Sequence, residues 1–332
     1  MHSKQRVYGL WICLLSLMVM CTVNVAAANK VVVVVGVGNT SYQNIGSIEP
    51  IIQGIQDGLK TKRITPEIQF TELVGLGSDG ARAAVGSAAI ARAKVSNPDL
   101  IITLTDDCLK FVGSRIDDIP VVFTFIANMP EALGLPKKNV TGVLFRSYAP
   151  DTFGLARKLM GVSSVTFFTK DSPAMQASAG LLRANAGALE QGTGVRLVDA
   201  HLLETFRDWV DATKKTTTGM IYLGDTSRID RNGYPVSDRE LVHWTVRNAT
   251  VPVIGAAEKD VEAGALFAVV PSGRAMGLLT ANTALKVLGG ASPADLSYTT
   301  NTQGELVVNI STARRYNLVL PEALLASARI YE

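Results

Sequence analysis

The sequence predicts an α/β protein of two doubly wound parallel-sheet lobes joined by hinge crossings, and three observations carry that expectation. Uniformly apolar, β-branched runs too short for a helix core recur between stretches of helical periodicity, the pattern of βαβ crossovers around a sheet buried on both faces. The series occurs twice at nearly equal length: 88 positions separate Val31 from Ile119, and 86 separate Val165 from Val251. Each series closes on a strand with proline at its second position, followed by an acidic loop and a glycine-containing turn, IPVVFTFIANMPEALGL and VPVIGAAEKDVEAGAL. One α/β unit is read as used twice.

Residues 1–28 are set aside first, because a removed segment has no place in a fold. Lys4 and Arg6 precede an uncharged apolar run from Val7 to Val23, and Val25 to Ala28 supplies small residues, the make-up of a secretory signal cleaved after Ala28. Retention as an anchor is the competing reading, since about 20 apolar residues span a bilayer. Acylation at Cys21 is disfavoured by the bulky methionines Met18 and Met20 before it. Lys4 and Arg6 belong to 32 basic residues set against 29 acidic ones, so the rest of the chain is almost neutral. That balance provides no field for nucleic acid or anionic lipid. A hydrophobic fraction of 47% supplies cores for two domains. Cys13 and Cys21 fall within the signal, leaving Cys108 alone, so packing and not a disulfide must hold the fold.

The mature chain opens on the strand Val31–Val35. Ser47 is placed to cap a helix whose Ile48, Ile51, Ile52, Ile55 and Leu59 share one face. There follow a strand over Ile68–Leu73, an Ala-rich helix after Asp79, a strand between Asp99 and Asp106, a short helix, and a strand from Ile119. The segment Asn139–Asp151, with Gly142 and Pro150 as breakers, is the expected inter-lobe crossing. The second series reads as a strand from Val165, one long helix through Met175 to Leu189, a strand from Arg196, a helix near Trp209, a strand from Gly219, a helix over Leu241–Val246, and a strand from Val251.

Motifs for chemistry are sparse. Gly36-Val37-Gly38 follows a strand, but Ser41 stands where a dinucleotide fingerprint needs its third glycine and the helix begins too late to face a pyrophosphate. The glycines are read as a sharp turn. No G-x-S-x-G elbow occurs; Ser78 lacks the first glycine. His201 and His243 are not in metal-ligand spacing, and Cys108 reads as a small residue packed under a helix. No catalytic residue, cofactor or metal is expected. In open α/β sheets ligands bind outside the carboxyl ends of the strands. The loops there are 39–42, 105–107, 127–129, 170–172, 225–228 and 258–259. Helix capping explains Asp107, Ser172 or Asp225 individually, and solvation explains Lys259, but the set converges if the two sheets face one cleft.

The pieces IPVVFT, NVTGV, LKVLGGASPADL, and ELVVN followed closely by LPEALLASA resemble the substrate-binding proteins of ABC-type importers, in the group that includes tryptophan and tyrosine binders. The resemblance implies a type I periplasmic-binding fold, closing on a solute about three hinge crossings. It also implies that Phe267–Leu296 returns to the first lobe, giving a first lobe of 29–144 plus about 268–296 and a second of 145–267 plus about 297–332. Thr105-Asp106-Asp107 departs from the small residues and proline of relatives, Ala256-Ala257 replaces their Gly-Asp, and Asp225 stands one residue short of their amine-pairing acid. The expected ligand contacts are Tyr42, offering a stacking face, with Thr105, Asp106, Asn128, Asp225 and Glu258, the acids being partners for an ammonium. Hinge positions are expected at Val143, Leu144 and Phe145 and at Phe267–Val270. The implied activity is non-enzymatic capture of a small polar organic solute, an amino acid or related amine, by a periplasmic monomer that serves an inner-membrane ABC permease. A ligand-sensing adaptor reporting to a membrane receptor is the alternative on the same fold.

Overall fold

The computed structural model describes residues 29–39, 48–126 and 128–332. The expected signal, Tyr42 and the Ser47 cap lie outside the described residues.

The first lobe is built from β1 (Val31–Val35), α1 (Ile48–Lys60), β2 (Glu67–Phe70), α2 (Asp79–Val95), β3 (Leu100–Leu104), α3 (Asp106–Phe111), β4 (Val121–Ile126) and β5 (Val140–Leu144). The second begins with α4 (Ala149–Met160), β6 (Ser164–Lys170), α5 (Pro173–Ala184), α6 (Ala186–Thr193), β7 (Arg196–Leu203), α7 (Phe206–Lys215) and β8 (Met220–Leu223). It continues through β9 (Ile229–Arg231), β10 (Tyr234–Val236), α8 (Asp238–Asn248), β11 (Val253–Gly255), α9 (Glu258–Glu262) and β12 (Phe267–Pro271). The chain returns to the first lobe for α10 (Gly273–Leu288) and β13 (Thr299–Thr300), then ends in the second with β14 (Gly304–Asn309), α11 (Ile310–Arg315), α12 (Glu322–Leu325) and β15 (Arg329–Tyr331).

The first sheet has the order β13-β5-β4-β3-β1-β2, every pair parallel. All five residues of β1 and of β3 are buried, which is why these strands read as unbroken apolar runs. Ile48, Ile51, Ile52, Ile55 and Leu59 are all buried in one core cluster against this sheet. Each such side chain contributes roughly 1.5–3 kcal/mol. Helix α10 crosses α1 at backbone contact, because a Cβ on Gly54 would strike the Arg274 carbonyl and one on Gly277 the Ile51 carbonyl.

The second lobe holds a parallel sheet β11-β8-β6-β7 and a separate group β12-β14-β15. In that group β12 runs antiparallel and β15 parallel to β14. The single helix expected over Met175–Leu189 is two helices, broken at Asn185, whose side-chain amide donates to the Leu181 carbonyl at 2.8 Å. A hairpin unforeseen in the sequence joins β9 and β10 through Asn232-Gly233, whose φ values of 56° and 87° suit the twist of a two-residue turn.

Strand pairing relocates two crossings. Thr299 pairs with Val143 and Thr300 with Leu144, so the first sheet extends past Leu296 and the third crossing is 301–303. Phe267 is not at a hinge: it is fully buried in the second-lobe core with Phe153, Val165 and Val308, and the second crossing follows Pro271 instead. Val143 and Leu144 are the last residues of β5, and the first crossing leaves at Phe145, whose amide donates to the Ile126 carbonyl at 3.3 Å.

Candidate functional site

Strand β5 leaves the first lobe from its carboxyl end, and its parallel neighbours point the same way, so the carboxyl ends of β1, β3 and β4 lie on the same edge of the sheet as the first crossing. Thr105 caps α3 with its Oγ1, accepting from the Cys108 amide at 3.4 Å. Its φ of 89° lies in the region that L side chains rarely adopt, a strain of order 1–3 kcal/mol held in place by its surroundings. Gly36 is required opposite, because a Cβ there would collide with Thr105 Oγ1. Close approach is thus a requirement at Gly36, whereas a Cβ on Gly38 would meet only the movable end of the exposed Glu72 side chain.

Asp106 and Asn128 meet across this end of the sheet. Asp106 Oδ1 accepts from the Asn128 amide at 2.8 Å and from its Nδ2 at 3.1 Å. Beside them β4 carries a bulge between Phe123 and Ile126, with Phe125 at φ 56°. Phe125 and Phe145 stack edge-on at 6.4 Å. Cys108 is fully buried, its Sγ donating to the Val34 carbonyl at 3.3 Å, and burial pushes the thiol pKa up. It is not placed as a nucleophile.

The second-lobe wall contains a cavity of about 330 Å3 at the carboxyl ends of β6, β8 and β11, reached also by Ser147 of the first crossing. Its floor is Phe167, Met175, Leu182 and Tyr222. Phe167 and Tyr222 are register partners on adjacent strands, with ring centroids 5.6 Å apart, and Phe153 meets Tyr222 edge-on at 4.9 Å from behind. Gly224 leaves room for this arrangement, since a Cβ there would lie 2.6 Å from the Phe167 ring.

The rim is charged. Asp225 Oδ1 accepts from the Ser227 amide at 2.9 Å, and Lys170 Nζ lies 3.7 Å from Oδ2. Burial raises the Asp225 pKa, but the hydrogen bonds from Ser227 and the charges of Lys170 and Lys259 outweigh it and hold the carboxyl below its ordinary value. Lys259 pairs with Asp238. Burial lowers the Lys259 pKa, and the hydrogen bond and charge of Asp238, with Asp260 and Asp225, more than reverse it. The edge formed by Ala256 and Ala257 is fixed by Asp260, whose Oδ2 accepts from their amides at 3.1 and 3.0 Å. Asp260 is fully buried and its Oδ1 has no partner among the described residues, so burial pushes its pKa up to about 7.

The expected contacts therefore divide. Thr105, Asp106 and Asn128 gather on the first lobe, and Asp225 stands on the cavity rim. Glu258 does not line the cavity, because Arg329 and Tyr331 take its carboxylate, although its neighbours Ala257 and Lys259 do. The aromatic floor went unread in the sequence: Phe167 and Tyr222 sit in strands whose apolar runs are indistinguishable from plain core. Among the described residues no group of three His, Cys, Asp or Glu could hold a metal ion, and no helix is long and apolar enough to cross a membrane.

A family profile described as "ABC transporter substrate binding protein" matches residues 31–331. The chain belongs to that family. Its membership implies a small-molecule ligand and a permease partner. Solved structures share the fold. An ABC domain in complex with L-Trp from Streptococcus pneumonia is 21% identical, with a TM-score of 0.61 over 92% of this chain and 100% of that one. A conserved domain protein from Vibrio cholerae is 22% identical, with a TM-score of 0.60 over the same shares. The ligand-free, open form of a substrate binding protein with adhesive properties from Clostridium difficile is 17% identical, with a TM-score of 0.70 over 92% and 99%. No curated protein matches the sequence significantly. The cavity lies at strand ends of the second lobe, beside Ser147 of the first crossing.

Proposed function

We propose that this protein is the extracytoplasmic solute-binding component of an ABC-type importer, and that it captures a small organic solute with an apolar body and a charged head, an amino acid or related amine. The observation that carries the reading is the second-lobe cavity: an aromatic and aliphatic floor under a rim of Asp225 and Lys259, with Lys170 3.7 Å from Asp225, at the carboxyl ends of parallel strands. At about 330 Å3 it suits one small molecule. A flat side chain lies against Phe167 and Tyr222, and an ammonium faces Asp225, which stays ionised. The solved relative that holds L-Trp supports an aromatic amino acid as the first solute to try.

The cavity is lined by second-lobe residues and Ser147 of the first crossing, so it is half a site. Closure would bring Thr105, Asp106 and Asn128 over the solute. Ligand contacts made only in the closed form then supply the differential affinity that shifts the population. The test is thermal melting against L-tryptophan, L-tyrosine, other amino acids, amines and sugars, followed by solution scattering with the solute that stabilises. Binding at 100 times Kd adds about 2.7 kcal/mol. Stabilisation by sugars alone, with no amino acid or amine active, would sink the ammonium-pairing reading; an unchanged radius of gyration with bound solute would sink closure.

A further inference from the structure

The edge of the cavity is connected to a hinge crossing by side chains outside the cavity lining. Glu258 sits between the lining residues Ala257 and Lys259 and turns its carboxylate toward the C-terminal strand. Arg329 Nη1 donates to both Glu258 oxygens at 2.5 Å, and the Tyr331 hydroxyl donates to Oε1 at 2.6 Å. The other arm of Arg329 donates to Glu305 Oε2 at 2.9 Å, and Glu305 Oε1 accepts from Ser272 Oγ at 2.5 Å. Ser272 follows β12 at the second crossing, and its carbonyl accepts from Asn301 Nδ2 of the third crossing at 3.1 Å.

We propose that Glu258, Arg329 and Glu305 are positioning residues forming one relay, through which the position of α9 at the cavity edge sets the geometry of the Ser272 crossing; its use in solute capture rests on the closure reading above. The guanidinium is suited to the middle place, because its planar fork serves two carboxylates at once, whereas an ammonium is a single point of charge. Register strengthens the arrangement: β15 pairs with β14 at Val307 and Arg329, and Glu305 of β14 faces Val270 of β12. Arg329, Glu258 and Glu305 keep 48%, 28% and 36% of their side-chain surface exposed, so their pairing adds little to global stability. Their orientation is what the relay supplies.

Amide hydrogen exchange of the full-length, unliganded protein tests this, comparing it with Glu258→Gln and Arg329→Lys. Residues 271–274 and 301–305 are expected to exchange about tenfold faster in both variants, with β6 and β8 unchanged. Glu258 touches neither crossing, so a response there requires transmission. Acceleration confined to residues near 258 and 329, or spread evenly through the second lobe as plain loss of stability would produce, overturns the relay. An Arg329→Lys variant that exchanges like the parent does the same. No solute is added, so failure of solute binding leaves this readout intact and the two readings fail separately.

Discussion

The Tyr148 hydroxyl lies 2.9 Å from the carbonyl oxygens of both Asn301 and Gln303, one donor shared by two acceptors, and so ties the first crossing to the third. The Arg146 guanidinium covers the Tyr148 ring at 4.0 Å and reaches the Thr302 carbonyl at 3.2 Å. Asn301 in turn reaches Ser272 of the second crossing. The crossings thus form one hydrogen-bonded unit and not three independent strings. Replacing Tyr148 by phenylalanine takes the donor from the buried Asn301 carbonyl, while the Gln303 carbonyl keeps the Ser272 amide and Asn301 Nδ2, and the expected loss is about 1–3 kcal/mol. Calorimetry should record a melting point lower by roughly 2–4 °C per kcal/mol.

Asp225 is the rim acid expected to face a ligand ammonium. Asp225→Asn keeps shape and removes charge, and should weaken an amine ligand by roughly ten- to a hundredfold in Kd, as loss of a hydrogen bond to a charged group does. Because the parent carboxyl is held below its ordinary pKa, it stays ionised from pH 5 to 8, and parent affinity should show no titration of this group there. Isothermal calorimetry at several pH values reads both effects.

Asp260 makes stability fall with pH. Its folded pKa of about 7 lies above the ordinary 3.8, so between these values the folded state holds a proton that the unfolded state has released. Stability is therefore highest below the unfolded pKa, declines through the interval, and levels off above pH 7. From pH 5 to 8 the contribution is on the order of 2–3 kcal/mol. In Asp260→Asn the side-chain oxygen still accepts from Ala256 and Ala257, and that part of the slope should vanish. Urea unfolding at pH 5 and pH 8 checks it; equal slopes for parent and variant would remove Asp260 as the cause.

Gly277 permits the close crossing of α1 and α10, and Gly277→Ala inserts a Cβ against the Ile51 carbonyl. Overpacking against backbone costs about 1–3 kcal/mol. The expected result is a lower urea midpoint with an unaltered slope.

Much of the first lobe was legible because local pattern and tertiary role coincide there. The five apolar positions of α1 share a face in any helix, and that face is the one buried. Asp106 and Asn128 were both read as strand-end residues, and adjacency of β3 and β4 brings them into contact. Glu258 was read in the same way and proved otherwise, because its partner lies 71 residues on in a strand that no local pattern connects to it. The likeness to the family puts a hinge at Phe267, whereas pairing of β12 with β14 carries the chain on to Pro271 before it crosses. The floor of Phe167 and Tyr222 could not be separated from core, since a residue facing a cavity and one facing a helix need the same apolar side chain.

By itself the sequence determined the alternation of buried strands with amphipathic helices and its use twice, because hydrophobic periodicity is a local property of the chain. The tertiary structure alone decided which strand ends form a cavity, where the crossings fall and which acids remain for a ligand. Those depend on pairings between residues far apart in sequence, such as Glu258 with Arg329 and Thr299 with Val143, whose energies arise only once the lobes are assembled.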